Sequence, residues 1–156
     1  MSKYGLVYIV SNSEQNKDLY KIGKTNNMLR RMKQLKADEL LDMGVAISDP
    51  ARLDVRGNIS VGKDCSVDVN VILEGEVVLG NNVSIGPNSI LKDVEIGDNT
   101  VIEAFSHLVS SKVGSNCSIG PYARLREGSY VDDEAKIGNF VETKKTKVGM
   151  SSKANH

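Results

Sequence analysis

Two cations one coil apart and an imidazole are side chains of types that could do chemistry together. Arg126 and Lys144 lie 18 residues apart. A dianionic phosphate ester needs paired cations, with a guanidinium as bidentate fork and an ammonium as point charge. His156 carries an imidazole, which titrates near neutral pH and can take the proton that keeps an ammonium group from acting as a nucleophile. By position alone, a histidine at a chain end is a solvated terminus and single arginines or lysines are exposed charges. These groups acquire meaning only where a fold brings them to one face. His107 has no such company and is expected at the surface.

The elements that would position them are written in a six-residue period. Aliphatic residues recur at 61, 67, 73, 79, 85, 91, then 96, 102, 108, then 113, 119, 125, 131, 137, 143 and 148, with Thr143 the one exception in type. The step is six except at three slips of five. A heptad steps by three and four and an amphipathic strand by two, so neither template fits. A period of six suits a chain that turns a corner every six residues, three flat faces making a coil of about 18. Each aliphatic residue points to the axis, a small residue four places on fits near the corner, and Asn, Asp or Gly takes the turn. The expected fold is mainly β: a parallel β-helix of about five coils, a one-dimensional solenoid. Coils at one-turn spacing would stack Arg126 and Lys144 on the same face.

Composition limits the partners. The 156 residues carry 20 basic and 20 acidic side chains, with a pI near 6.7, so global charge points to neither nucleic acid nor membrane. Locally, Lys21, Lys24, Arg30, Arg31, Lys33 and Lys36 fall between Leu19 and Ala37 without an acid, and Lys144, Lys145, Lys147 and Lys153 form a second group. Cys65 and Cys117 both occupy the small-residue position of the repeat and lack CxxC spacing. They read as buried structural thiols, which suits a reducing cytoplasm, rather than as a disulfide or metal site. No metal is expected. The apolar run Gly5–Val10 is too short for a signal segment or a membrane span.

Upstream of the repeat, residues 5–10 and 19–23 read as two strands of a hairpin. Asn26 or Asn27 can cap a helix with Met28, Leu29, Met32 and Leu35 on its apolar face. The expected organisation is 1–35 for hairpin and basic helix start, 36–57 for linker helix and entry segment, and 58–156 for the β-helix. The strings Gly5–Val10 and Tyr20–Thr25, followed by Arg31, resemble the opening of a GIY-YIG-type nuclease domain over residues 4–35. That resemblance matches Tyr8, Lys21 and Arg31 to its site, but the remainder that would supply a metal-binding glutamate is not found here. A structural hairpin with a basic helix is the expectation it leaves, with nucleic-acid binding or a nuclease remnant along Lys21–Lys36 as the alternative.

From about residue 37 onward a second resemblance is more specific. Asp49–Gly57, Asp68–Gly75, Ile119–Arg126, Gly138–Lys145 and Ser152–His156 resemble the acetyltransferase half of the bifunctional N-acetylglucosamine-1-phosphate uridyltransferase/glucosamine-1-phosphate N-acetyltransferase family. The resemblance implies a left-handed β-helix, a cytoplasmic homotrimer, and acetyl transfer from acetyl-CoA to the amine of glucosamine-1-phosphate. This is a step of amino-sugar metabolism toward peptidoglycan and lipopolysaccharide precursors. It further implies that Arg126 and Lys144 hold the sugar phosphate, that His156 is the general base, and that Glu142 orients it.

Glu127 departs from the proline usual after the phosphate-binding arginine and sets a negative charge beside the site. The coils expected after His156 and the uridyltransferase half are not in the 156 residues. The expectation is therefore an incomplete domain with little acetyl transfer on its own, no identified acetyl-CoA contacts, and a prism end at Val148–His156 open to a completing chain. A structural or oligomerisation module is the rival expectation.

Overall fold

The computed structural model describes residues 6–11, 20–25 and 28–155, with side-chain surroundings from residue 28 onward. β1 (Leu6–Ser11) and β2 (Tyr20–Thr25) pair antiparallel with Leu6 opposite Thr25 and Ser11 opposite Tyr20, the expected hairpin. Tyr8 and Lys21 fall in these strands, but their side chains lie outside the described ones, as do Asn26 and Asn27.

α1 (Met28–Asp42) follows. Its end is set by Gly44 at φ +89. Val45 N–H donates to Leu40 C=O at 3.0 Å and Gly44 N–H to Leu41 C=O at 2.9 Å, a Schellman cap that needs the left-handed conformation glycine supplies. The buried side is Leu35, Ala37 and Leu40, whereas Leu29 is 75% and Met32 48% exposed. The expected apolar face is thus displaced by about a turn toward the C-terminus. The cause is where the solenoid begins: the apolar side chains that reach the core come from the second half of α1, where Ala37 and Leu40 join Val45 of the first coil.

That coil opens with β3 (Ala46–Ile47), a short 3-10 turn at Pro50–Arg52, and β4 (Asp54–Val61). From here every strand is parallel to its neighbours. One face stacks seven strands in the order Ala46–Ile47, Ser66–Val67, Ser84–Ile85, Val101–Ile102, Ser118–Ile119, Lys136–Ile137 and Lys153–Ala154. The other two faces share the long strands β4, Ile72–Leu79, Ile90–Ile96 and His107–Val113, which bend round one corner. They then separate into Arg124–Leu125 with Tyr130–Val131, and Glu142–Thr143 with Lys147–Val148.

The result is a left-handed parallel β-helix of about 6 turns. This is one turn more than the period predicts, because the 3-10 turn interrupts the beat between Ile47 and Val55. The axial columns are the predicted ones. Val55, Leu73, Leu91, Leu108, Leu125 and Thr143 stand in register on one face. Leu73, Leu91, Leu108 and Leu125 are fully buried. Thr143, the non-aliphatic member, donates its hydroxyl to Ser129 Oγ at 2.9 Å, so the buried polar group is paired.

All three five-residue slips occur at the corner between the second and third faces. Two of the three coils that keep six there turn through Gly75 (φ +72) and Gly128 (φ +74), and the slipped coils through Asp93, Ser110 and Lys145, also at positive φ. Stacking a six on a five shifts the register between Glu74 and Val77, as a bulge does. Most other corners use Asn or Asp in the left-handed region, the residues that tolerate it best after glycine. Corner carboxylates also tie coils together: Asp98 Oδ1 accepts Asn81 N–H at 2.7 Å, and Asp133 Oδ1 accepts Ser115 N–H at 2.7 Å.

One corner column changes chemistry along the prism. Asn70 and Asn88 share a side-chain hydrogen bond of 2.9 Å. The same column continues with Phe105, Tyr122 and Phe140, their rings stacked at 4.8 and 5.1 Å. Aromatic residues are costly at positive φ, and ring stacking offsets part of that cost.

Candidate functional site

The second face carries charge on its outer side in two adjacent columns. One reads Asp54, Ile72, Ile90, His107, Arg124, Glu142 in consecutive register. The other begins Arg56, Glu74, Lys92, Val109. It continues at Arg126, whose N–H donates to Thr143 C=O at 2.9 Å, one residue short of Lys144. The solenoid therefore sets Lys144 one coil from Arg126 in the same column and brings Glu142 into contact with Arg126. His156 lies outside the described residues.

Toward the N-terminus the columns are charge-matched. Arg56 Nη2 and Lys33 Nζ both reach Asp54 Oδ2, at 2.5 and 2.8 Å, and Lys92 Nζ meets Glu74 Oε1 at 2.6 Å. Burial acts to raise the Asp54 pKa, but the hydrogen bonds from Arg56 and Lys33 outweigh it and the carboxyl ends below its usual range.

Toward the C-terminus cations exceed acids. Within these two columns Glu142 is the carboxylate there, in contact with Arg124 and Arg126, while the exposed Glu127 follows Arg126 in the chain. Glu142 accepts from Arg126 Nη1 at Oε1, 2.8 Å, and from Arg124 Nη1 at Oε2, 3.3 Å. The Arg126 hydrogen bond, opposed by slight burial and reinforced by both guanidinium charges, holds its carboxyl below the usual carboxylate range. Glu142 is thus engaged with arginines rather than displayed as an isolated acid. Arg126 keeps 39% of its side chain exposed, so its remaining N–H groups can reach a ligand. A cation-rich, solvent-open face with a planar fork and a flexible ammonium is suited to a phosphate ester.

Arg124 is the site residue that the sequence reading does not single out. A signal existed: it stands 18 residues before Glu142, hence directly opposite it one coil away. His107 is its neighbour on the other side. Burial first, and the charge of Arg124 second, hold the His107 pKa below its ordinary 6.5. A histidine that folds into a depressed pKa favours its neutral form, so the stability it supports is intact above about 6.5 and declines as pH falls toward the folded value. Urea melts at pH 7.5 and 5.5 should show the wild type losing more stability on acidification than His107→Gln. Equal losses in the two proteins would contradict this.

The other expected residues resolve simply. Cys65 and Cys117 are buried, and each thiol donates to a carbonyl of the next coil, Gly80 O and Asp132 O, at 3.1 Å. Burial chiefly pushes the Cys117 pKa up, which keeps the thiol protonated. Among the cations of α1, Lys33 pairs with Asp54, and Lys36 Nζ donates to Gly57 C=O at 2.8 Å. In the second basic group, Lys147 pairs with Asp132 at 3.2 Å and lies over the Tyr130 ring. Among the described residues, no group of three His, Cys, Asp or Glu could hold a metal ion, and no helix is long and apolar enough to cross a membrane.

The fold and its charged face define a hexapeptide-type left-handed β-helix domain. More particularly, the chain belongs to the GMPPB C-terminal domain family, whose model matches residues 55–154. The T5orf172 domain model matches residues 5–66. Over 120 residues, 77% of the chain, the sequence is 58% identical to the bifunctional protein GlmU of Pseudoalteromonas atlantica and 52% identical to that of Paraburkholderia phytofirmans. The chain spans only 26% of the length of these relatives. Among solved structures, the acetyltransferase domain of PglB from Neisseria gonorrhoeae superposes with a TM-score of 0.67 at 15% identity, covering 85% of this chain and 66% of that one. The N-acyltransferase AntD from Bacillus cereus gives 0.67 at 14% identity, covering 76% and 83%. At such identities the structural likeness concerns the fold.

Proposed function

We propose that the β-helix is the sugar-phosphate-binding part of a glucosamine-1-phosphate N-acetyltransferase, working in the cytoplasm as a homotrimer with acetyl-CoA as acetyl donor. Arg126 and Lys144 hold the phosphate, His156 removes a proton from the sugar amine, and Glu142 supports that base. The observation that carries the reading is the cation excess on one solvent-open face, where Arg126 and Glu142 are in contact, within a stretch 58% identical to a GlmU protein.

Catalysis by such a site joins a phosphate anchor at C1 of the sugar to a base at the amine on the adjacent C2. Most of the rate gain then comes from orientation and a proton acceptor poised near neutral pH. Calorimetric titration of the 156-residue chain with glucosamine-1-phosphate, and with glucosamine as control, tests the anchor. Binding of the phosphate ester but not of the free sugar is expected, and no binding of the ester at millimolar concentration would reject the reading. Release of free thiol from acetyl-CoA, compared between wild type and His156→Ala, tests the base. Light scattering tests the trimer.

A further inference from the structure

Glu142 lies between two guanidinium groups that are not equivalent. Arg126 reaches Oε1 at 2.8 Å and Arg124 reaches Oε2 at 3.3 Å, so in the unliganded chain the carboxylate is bound mainly by the arginine that a phosphate would need. A phosphate dianion taken end-on by Nη1 and Nη2 of Arg126 would displace Oε1 from Nη1 and would then face the carboxylate at close range. Like charges that close cannot both stay without a cation for each. Arg124 is placed to be that second cation. It sits opposite Glu142 in the ladder, already touches its other oxygen, and is 54% exposed, which leaves its fork room to close. On its far side the ladder offers His107, which presents no carboxylate to compete for it. Nearer the N-terminus Asp54 and Glu74 also lie between two cations each, Lys33 with Arg56 and Arg56 with Lys92, but of the three only Glu142 has an arginine on each carboxylate oxygen.

We propose that Arg124 is a positioning residue that takes Glu142 over from Arg126 when a phosphate ester binds, which frees the Arg126 fork and keeps Glu142 fixed beside the site. The proposal rests on the phosphate-binding reading above, and the ligands below separate the two. The covalent chemistry is untouched: Arg124 exchanges one set of hydrogen bonds for another and meets no reacting atom.

The test is a double-mutant cycle on the full chain, titrated with inorganic phosphate and with glucosamine-1-phosphate. Arg124→Met should weaken phosphate binding about tenfold, the value of one charge-assisted hydrogen bond, because Glu142 stays on Arg126. Glu142→Gln, which removes the competing charge, should tighten inorganic phosphate, and adding Arg124→Met to it should change affinity less than about twofold. Arg124→Lys, which keeps the charge and the fold, should recover most of the wild-type affinity.

An equal loss from Arg124→Met in both backgrounds would overturn the proposal, since Arg124 would then act on the phosphate directly or on the fold. No loss in either would also overturn it. Coupling seen with inorganic phosphate but no affinity for the sugar phosphate would keep the proposal and reject the functional reading. Sugar-phosphate binding without coupling would do the reverse, and failure of both anions to bind would reject both.

Discussion

Truncating Leu108 to alanine is expected to destabilise the solenoid by about 3 kcal/mol, within the range for a fully buried leucine whose surroundings cannot close the space. Leu108 has no exposure and stands in the axial column between Leu91 and Leu125. The prism wall cannot relax inward there, because each coil is held to the next by backbone hydrogen bonds on all three faces, for example His107 N–H to Ala123 C=O at 2.8 Å and Lys112 N–H to Ser129 C=O at 3.0 Å. In a solenoid each coil contacts only its neighbours, so one weak layer separates two stacks of coils. Urea denaturation followed by circular dichroism, with the outward-facing Lys112→Ala as control, measures the effect. A midpoint shift in Leu108→Ala no larger than in the control would show that the axial layer is not what holds the coils.

The second large effect concerns binding. Arg126→Met is expected to lower affinity for glucosamine-1-phosphate by about 10- to 100-fold, the equivalent of losing one or two hydrogen bonds to a dianion. The fold should survive, since the Arg126 side chain is surface-exposed and its backbone bond to Thr143 does not depend on the substitution. Unlike Arg124→Met, this loss should persist in a Glu142→Gln background, because Arg126 is the group that meets the ligand. Calorimetry resolves the difference. An Arg126→Met protein that binds the ester as well as wild type would place the phosphate elsewhere on the molecule.

The axial columns were legible because the rule that writes them is local. A chain that bends every six residues must place an apolar side chain inward at the same interval, whatever its partners, and the slips of five leave the inward direction unchanged. Thr143 departs from the pattern in type alone, because its hydroxyl donates to Ser129 Oγ. The cysteines were legible for the same reason, since the small-residue position is buried along most of the prism, as at Val83, Ser89, Thr100 and Ala123. The helix was less so: Met28–Asp42 has apolar residues on both its early and late turns, and only the docking on the first coil selects Leu35, Ala37 and Leu40. The extra turn was hidden because the 3-10 turn at Pro50–Arg52 breaks the period that would have announced it.

By itself, then, the sequence determined the repeating coil, its inward columns, and the fact that residues 18 apart share a face. Each of these follows from backbone geometry within one coil. The stacked structure decided which cation each acid takes. Glu142 is in reach of Arg124, in register one coil away, and of Arg126, two residues further along. Its preference for Arg126 is a matter of half an ångström in side-chain reach, which spacing does not encode and only packing of one coil on the next can fix.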